Sequence, residues 1–243
     1  MAHQVLNNVK VWVDGYDFSG DINALGYDYG CDEVEDTNFG DTTHTFLGGL
    51  FKFDGRLEGA VDLGTETVEG IHFGNVGLAD TPVSISPDTG ADGETGYMVK
   101  AATVNYSPGA TIGELLRFDV NIKASNERLV RGTIMHNATR TATANGTARQ
   151  LGAVAADQKL YAVLHVLATV SGTLPTLDVV VASSATDSWP GTTRITFSEK
   201  TALGSEFATP VAGAITDTWW RVQYTIGGSD TPTFPFVVII GII

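Results

Sequence analysis

Residues 9–14 read Val9-Lys10-Val11-Trp12-Val13-Asp14, and a valine occupies every second position. A period of two indicates a β-strand, because successive side chains of a strand point to opposite faces. The turn residues Ser19-Gly20-Asp21 follow, and a further extended segment at 22–29 completes a predicted opening hairpin.

Short segments of the same kind recur along the chain, separated by Gly, Asp, Asn or Pro. Further strands are predicted at 44–53, 57–63, 68–73, 82–86, 97–106, 116–123, 128–135, 160–170, 175–183, 192–198, 218–226 and 233–242. Helix is expected only as a single turn at 112–117, since Val and Thr enrichment favours a strand over an amphipathic helix at 160–170. The expected fold class is mainly β, a sandwich or barrel with very little helix.

A small, polar segment at 137–150 separates two halves of the chain. It contains no large apolar residue, which is typical of a linker between compact domains. The sequence therefore predicts two β domains, at 1–145 and at 151–243.

The negative charge is concentrated in the first hundred residues. The whole chain has 14 Lys+Arg and 28 Asp+Glu, for a net charge of −14. Residues 1–100 hold 4 basic and 18 acidic residues, whereas 101–243 hold 10 of each. A surface this acidic repels nucleic acid and anionic membrane, so adhesion to either is not expected.

Motifs for catalysis or metal binding are not evident. The five histidines are scattered, without the short spacings of a histidine metal site. Cys31 is the single cysteine, which excludes an intrachain disulfide. Residues 88–94 hold oxygen ligands suited to calcium but lack the alternation of an EF-hand, so a polar turn is favoured. We expect no enzyme activity, no catalytic or metal-binding residue, and no cofactor.

The aromatic residues near the C-terminus offer an alternative function. Trp219-Trp220, together with Trp189 and Tyr224, could line a face on which sugar rings stack. Adjacent strand residues point to opposite faces, so one of the two neighbouring tryptophans is predicted to lie in the core.

A distinctive segment at 36–50 reads Asp-Thr-Asn-Phe-Gly-Asp-Thr-Thr-His-Thr-Phe-Leu-Gly-Gly-Leu. Its polar loop has Phe39 at the centre, and the later glycine pair permits close approach to another backbone. Two interpretations stay open: a hairpin loop pinned by Phe39, or a projecting arm that docks on a neighbouring subunit. The candidate inter-subunit residues are Asp36, Thr37, Asn38, Phe39, Gly40, Asp41, Thr42, Gly48 and Gly49.

Several stretches also occur in an order shared with a known family. They are the acidic strand with Asp36–Thr42, Gly48-Gly49-Leu50 and the acidic strand to Asp62, Ser107-Pro108-Gly109 through Gly113-Glu114, Arg117–Val120, Leu129–Thr133, Thr218–Val222 and Thr231–Phe234. In this order the chain resembles the major tail proteins of long-tailed bacteriophages, which form the tail tube. The resemblance spans most of the chain.

The resemblance implies β-sandwich or β-barrel subunits in homohexameric rings, stacked into a tube through which the genome passes. It places the protein in the virion tail after assembly in the host cytoplasm, with itself and other tail proteins as partners. DNA would pass without specific binding, because an acidic lumen repels its phosphates. Candidate carboxylates for the lumen or for inter-ring faces are Asp28, Asp32, Glu33, Glu35, Asp54, Glu58, Asp62, Glu66 and Glu69.

On this interpretation residues 1–145 form an acidic tail-tube-like domain, and 151–243 a neutral sandwich-like domain or the second half of the ring wall. The apolar stretch 236–243 is too short to span a membrane and is predicted as a buried terminal strand, so no membrane partner is expected. Two other functions stay open: a capsid decoration protein and a carbohydrate-binding adhesion module.

Overall fold

The computed structural model describes residues 8–64, 67–168 and 170–243. The chain is 60% strand and 3% helix, which confirms the expected mainly β fold class. The strands are β1 (Lys10–Val13), β2 (Tyr16–Asp17), β3 (Ile22–Glu35), β4 (Phe46–Ala60), β5 (Thr81–Ser86), β6 (Thr95–Gly109), β7 (Arg117–Ala124), β8 (Val130–Arg140), β9 (Ala144–Asn145), β10 (Arg149–Gln150), β11 (Lys159–Val166), β12 (Ser171–Ser184), β13 (Thr192–Thr196), β14 (Gly204–Phe207), β15 (Val211–Ala212) and β16 (Trp219–Ile242). One helix, α1 (Val68–Asn75), lies between β4 and β5.

The helix α1 occupies a segment for which a strand at 68–73 was expected, and that prediction is wrong. Val68 and His72 lie four residues apart, and both are fully buried. In a helix this spacing puts them on one face, so the burial follows a helical period. The opposite error occurs at 112–117, where Glu114 N donates to Thr111 O (2.9 Å) in a turn, and no helix forms.

The chain divides into two compact units. Unit 1 comprises the described residues up to Gly20 with 82–98 and 130–243, and unit 2 comprises 21–81 and 99–129. The expected linker at 137–150 is instead paired: β8 continues to Arg140, and β9 and β10 both pair with β16. The division at 1–145 and 151–243 stays a prediction.

Unit 1 is organised around β16. The first half of this strand pairs with β12 on one edge and with β9 and β10 on the other, and its second half lies between β8 and β11. Phe236 and Val238 enter a core cluster that contains Trp220, while Val237 and Ile239 enter a second cluster with Trp12. Because both faces of this half are covered, its sequence is continuously apolar, as expected for a buried terminal strand.

Unit 2 is a sheet in the order β3-β4-β7-β6, antiparallel throughout. Along β4, the odd-numbered residues from Phe53 to Gly59 are buried, and the even-numbered ones are not. The buried face is packed by α1, whose His72 ring lies 6.4 Å from the ring of Phe118 on β7. The opposite face carries the polar side chains.

Three histidines are buried as neutral rings. Burial lowers the pKa of His72 and of His136 to about 4 and that of His165 to about 3. His165 Nδ1 accepts from Gly15 N (3.4 Å), so its Nε2 carries the proton and donates to Ser84 Oγ (2.9 Å). Protonation of Nδ1 would place two donors against each other at this site.

We predict that acid destabilises the protein through these rings. An unfolded histidine titrates near 6.5, above the folded values, so the unfolded state takes up protons first as the pH falls. Stability that is present above about pH 6.5 is therefore lost progressively toward pH 4. In urea unfolding, His136→Phe should reduce the loss of stability between pH 7 and pH 5 by about 2 kcal/mol.

The control is Tyr224→Phe, which alters a ring 5.2 Å from His136 without removing a group that titrates in this range. It should keep the wild-type pH dependence. An unchanged pH dependence in His136→Phe would contradict the assignment of this ring as neutral in the folded state.

Candidate assembly interface

The longest feature of unit 2 is the hairpin of β3 and β4, joined by residues 36–45. β4 also pairs with β7, whereas among the described residues β3 pairs with β4 alone. One long edge of β3 therefore presents backbone donors and acceptors with no strand beside them. Such an edge is a template for pairing with another chain.

One face of this hairpin is aromatic. Tyr29 pairs across the strands with Phe53, and the rings of Tyr29 and Phe51 stack at 5.9 Å with an interplanar angle of 10°. Part of this face is core, and Phe53 is only 2% exposed. Toward the tip of the hairpin it is exposed, and Phe51 and Phe46 are 54% and 57% exposed. We call Tyr27, Tyr29, Phe46 and Phe51 the aromatic face.

Exposed apolar side chains are concentrated in unit 2. All the large exposed hydrophobic residues among those described, except Leu174, belong to this unit. A large exposed apolar surface on a folded protein marks a site of interaction. The hairpin thus has an exposed apolar surface and an edge of β3 beside which the described residues place no second strand.

The opposite face of the same sheet is charged. Asp28 lies directly across from Asp54, which in turn lies across from Lys123 on β7. Like charges placed opposite each other are unfavourable, and the neighbouring lysine offsets the repulsion. We call the following residues the charged face: Asp28, Asp32, Lys52, Asp54, Arg56, Glu58, Asp119 and Lys123.

Ion pairs neutralise part of the charged face. Lys123 Nζ is 2.6 Å from Asp54 Oδ1, and Lys52 Nζ is 3.5 Å from Asp32 Oδ1. The guanidinium of Arg56 contacts two further carboxylates of the face. These pairs are about half exposed, so each contributes little to stability. The face keeps more carboxylates than bases, but it is less acidic than the composition of residues 1–100 suggests.

The loop at the tip of the hairpin is closed by its own hydrogen bonds. Asp36 N donates to Thr45 O (2.8 Å), and Asn38 N donates to Asp41 Oδ2 (2.8 Å). His44 Nδ1 lies 2.6 Å from Glu35 Oε1, and hydrogen bonds from His44 and then Thr37 lower the pKa of the Glu35 carboxyl.

Phe39, at the centre of this loop, is fully exposed. A hairpin loop pinned by Phe39 was one of the two interpretations of the sequence, and the structure contradicts it. The ordered loop instead presents the ring to solvent.

The structure separates the carboxylates that the sequence grouped together. Four of them, Asp28, Asp32, Asp54 and Glu58, share the charged face. Register shifts between Cys31 and Glu33, so Glu33 and Glu35 lie toward the tip, opposite Gly48 and Phe46. Asp62 is exposed after β4, Glu69 lies in the first turn of α1, and Glu66 lies outside the described residues.

The glycine pair lies within β4. Gly48 is opposite Glu33, and a Cβ at Gly49 would lie 3.1 Å from the backbone O of Asp32. The close backbone approach that the sequence suggests is therefore found at the register shift inside the hairpin.

Sequence reasoning missed an apolar surface at the other end of unit 2. Ile112 is fully exposed, and Leu115 is 61% exposed, in the loop between β6 and β7. Val61 N donates to Leu116 O (3.0 Å), which places this loop at the base of the hairpin, away from residues 36–45. The signal was an apolar residue within a Gly-containing turn, which was interpreted as helix.

The other candidate sites suggested by the sequence have structural roles. Trp220 is buried and donates to Gly152 O (2.8 Å), which confirms that one of the adjacent tryptophans lies in the core. Tyr224 is buried too, so neither ring is available to a sugar. At 88–94 the Glu94 carboxylate accepts from Thr89 Oγ1 (2.8 Å) and Ala91 N (2.9 Å), as in a polar turn. The described residues contain no cluster of three or more metal-binding side chains.

No protein-family model matches the chain, and no curated protein matches it. Solved structures with a similar fold include an extracellular contractile injection system, the PVC sheath-tube complex in the extended state (TM-score 0.41, 15% identity, 52% of this chain and 88% of that chain). A PVC sheath/tube terminator in the extended state is also similar (TM-score 0.43, 15% identity), over 54% of this chain and 97% of that chain. A chain from the virion of a native gene transfer agent particle is similar with a TM-score of 0.37 and 9% identity, over 45% of this chain and 82% of that chain. Likeness at this level establishes no family.

A membrane-spanning helix is also absent from the described part of the chain, where no helix is both long and apolar enough.

We predict that the base of the hairpin tolerates no side chain at position 59. A Cβ at Gly59 would lie 1.9 Å from Asp21 O and 2.8 Å from the Phe118 ring. Gly59→Ala should therefore destabilise the fold by about 3 kcal/mol in urea unfolding. The matched control is Gly26→Ala on β3, where nothing lies within 4 Å, and its stability should stay close to wild type. Equal stability of the two variants would contradict this hairpin register.

Proposed function

We propose that the protein is a virion structural protein, a tail tube subunit without catalytic activity that assembles with itself into stacked rings. The observation that carries this proposal is the exposed apolar surface of the β3–β4 hairpin, on which Phe46, Phe51 and Phe39 are more than half exposed. The edge of β3, beside which the described residues place no second strand, adds to it. Each feature would be buried by a partner molecule. In a self-assembling particle other copies of the chain are present at high local concentration, so a second copy can be that partner.

Ring closure would use the hairpin edge. A neighbouring subunit that adds a strand beside β3 satisfies its backbone groups and covers the rings of the aromatic face. A head-to-tail contact of this kind closes into a ring when the rotation per subunit divides a full turn. Six subunits per ring is the number that the resemblance to phage tail tubes implies.

The charged face would line the channel. The two faces of the sheet respond differently to the removal of water. Burial of the aromatic face lowers the free energy, whereas desolvation of the charged face raises it. In a tube the charged face therefore suits the water-filled lumen. Its excess of carboxylates repels DNA phosphates, and its bases are already engaged by neighbouring carboxylates, so the genome passes without adhesion.

Stacking of rings would use the two ends of unit 2. Phe39 is exposed at the tip of the hairpin, and Ile112 and Leu115 are exposed at its base. Apolar groups at opposite ends of one element allow the tip of one subunit to dock on the base of the next. This contact is heterologous and propagates without closing, which produces a tube.

We place residues 151–243 in the ring wall as its second half. These residues share unit 1 with 82–98 and 130–150, and β16 provides strand partners for β8, β9 and β10.

We predict that loss of the docking loop stops assembly but not folding. Deletion of residues 38–45 or the single change Phe39→Ser should leave a folded protein, because all of residues 38–45 are exposed and Phe39 is fully so. Negative-stain electron microscopy at rising concentration should show tubes for the wild type and none for either variant. The control is Leu174→Ser, which removes an exposed apolar side chain from unit 1 and should still form tubes.

Normal tubes from the 38–45 deletion would overturn the docking role of the loop. Discrete trimers or monomers of the wild-type chain at every concentration would overturn the tube itself and favour a capsid decoration protein.

We predict that reversing charge on the charged face converts the tube into a DNA binder. In Asp28→Lys with Asp32→Lys, tubes should still form, because both side chains are exposed. The variant tubes should retain DNA, and this binding should weaken as the salt concentration rises. The logarithm of the binding constant should fall against the logarithm of the salt concentration with a slope of about 0.9 for each phosphate neutralised. Glu199→Lys, an exposed change in unit 1, is the control and should retain less DNA. Equal retention by the two variants would show that the charged face does not front the channel.

A further inference from the structure

A second feature, unrelated to the hairpin, is an open cleft of about 480 Å³ on unit 1. Its floor is the outward face of the sheet where β9, β16 and β12 lie side by side. The register places Gln223 of β16 between Asn145 of β9 and Val180 of β12, and Thr225 opposite Asp178. These side chains therefore share one face, while Trp220, Val222 and Tyr224 point into the core.

The polar side chains of this floor are not engaged by the protein. Asn145, Asp178 and Gln223 make no side-chain hydrogen bond with the other described residues. Together they offer two amides, which donate and accept hydrogen bonds, and a carboxylate, which accepts them. Elsewhere in unit 1, comparable side chains are used: Asn137 Nδ2 donates to Gly90 O (2.8 Å), and Asp217 accepts from Ser183 and Arg194.

One wall of the cleft joins an aromatic ring to a guanidinium. The Arg221 guanidinium carbon lies 4.1 Å from the centroid of the Trp189 ring. The Nε of Arg221 is buried and has no hydrogen-bond partner among the described residues. Because Nε has no accessible surface, a ligand would contact Arg221 through the part of its side chain that lines the cleft. Trp189 itself is only half-buried and is oriented by a hydrogen bond from Nε1 to Asp187 (3.1 Å).

We propose that this cleft binds a neutral saccharide. Vicinal hydroxyls both donate and accept hydrogen bonds, which suits paired amides, a carboxylate and a guanidinium fork. The apolar faces of a sugar ring pack on Trp189 and Pro190 at the edge of the cleft. The charges of Asp178 and Arg221 balance, so the lining has no net charge that would select an anionic or a cationic ligand.

This site differs from the tryptophan platform that the sequence suggests. Two of that platform's rings, Trp220 and Tyr224, are buried, and the recognition is carried by polar residues that the sequence did not single out. The cleft lies wholly in unit 1, so the proposal does not depend on tube assembly.

The test is isothermal titration of the full-length protein with neutral hexasaccharides: maltohexaose, cellohexaose, laminarihexaose, mannohexaose and chitohexaose. At least one should bind saturably with a Kd of about 1 mM or tighter, the range of weak specific binding. Asp178→Ala and Trp189→Ala should each weaken that binding by about tenfold or more. The matched control is Gln150→Ala, an exposed polar residue on the neighbouring strand β10 outside the cleft lining, which should bind as the wild type does.

Three results would overturn the proposal. None of the five sugars binds in the millimolar range, or binding persists in both cleft variants, or an acidic oligogalacturonate binds while the neutral sugars do not. Circular dichroism of each variant separates a lost site from a lost fold. None of these results bears on the tail tube proposal, whose readout is tube formation.

Discussion

Unit 2 is constrained by a mismatch between the length of its sheet and the length of its helix. A strand of 14 residues such as β3 extends over about 46 Å, whereas the eight residues of α1 extend over about 12 Å. The helix packs on Phe118 of β7, which lies across from Gly59 at the base of the hairpin. Farther along the hairpin the same sheet face is exposed at Tyr29 and Phe51. The exposed aromatic surface follows from this mismatch.

The free energy gained by burying the aromatic face indicates which kind of association it can stabilise. Complete burial of a Phe or Tyr side chain yields about 2 kcal/mol. The four rings of the aromatic face are about half exposed, so covering them supplies about 4 kcal/mol in total. Association of two proteins costs about 4–15 kcal/mol in lost freedom. A single hairpin contact would thus be only marginally stable. A subunit held by two neighbours in a ring, and by further rings above and below, would make several contacts while losing its translational and rotational freedom only once. The surface suits a cooperative assembly better than an isolated dimer.

Much of the fold follows from sequence periodicity, and its failures have local causes. The period of two located most strands, because a half-buried strand has no other way to sort apolar from polar residues. It failed at 68–73, where Val68 and His72 are four residues apart and a helix buries both. It also divided β16 into two predicted strands, since Gly227-Gly228 resembles a turn but lies within one continuous strand.

The candidate site was predictable in part. The loop with Phe39 could be identified from its composition, because a polar segment with a central aromatic stands out against alternating strands. Alternation along β3 could have separated Asp28 and Asp32 from Glu33 and Glu35, because even-numbered and odd-numbered residues of a strand point to opposite faces. Their partners on β4 could not be predicted, because the register shifts between Cys31 and Glu33 and register depends on the partner strand. The cleft residues Asn145, Asp178 and Gln223 come from three separate strands, and only the pairing of β9, β16 and β12 brings them together.

The two faces of the hairpin also answer a problem that its aromatic face creates. A free strand edge with exposed rings would pair with any similar edge and aggregate. The carboxylates Asp28 and Asp32 alternate with Tyr27 and Tyr29 along the same edge strand, so an approaching acidic hairpin in the wrong register meets like charge. Correct pairing must place the bases of one subunit near the carboxylates of the next, or separate the charged faces by water. In the tube that we propose, the acidity of this region would restrict how subunits meet, in addition to repelling a passing polyanion.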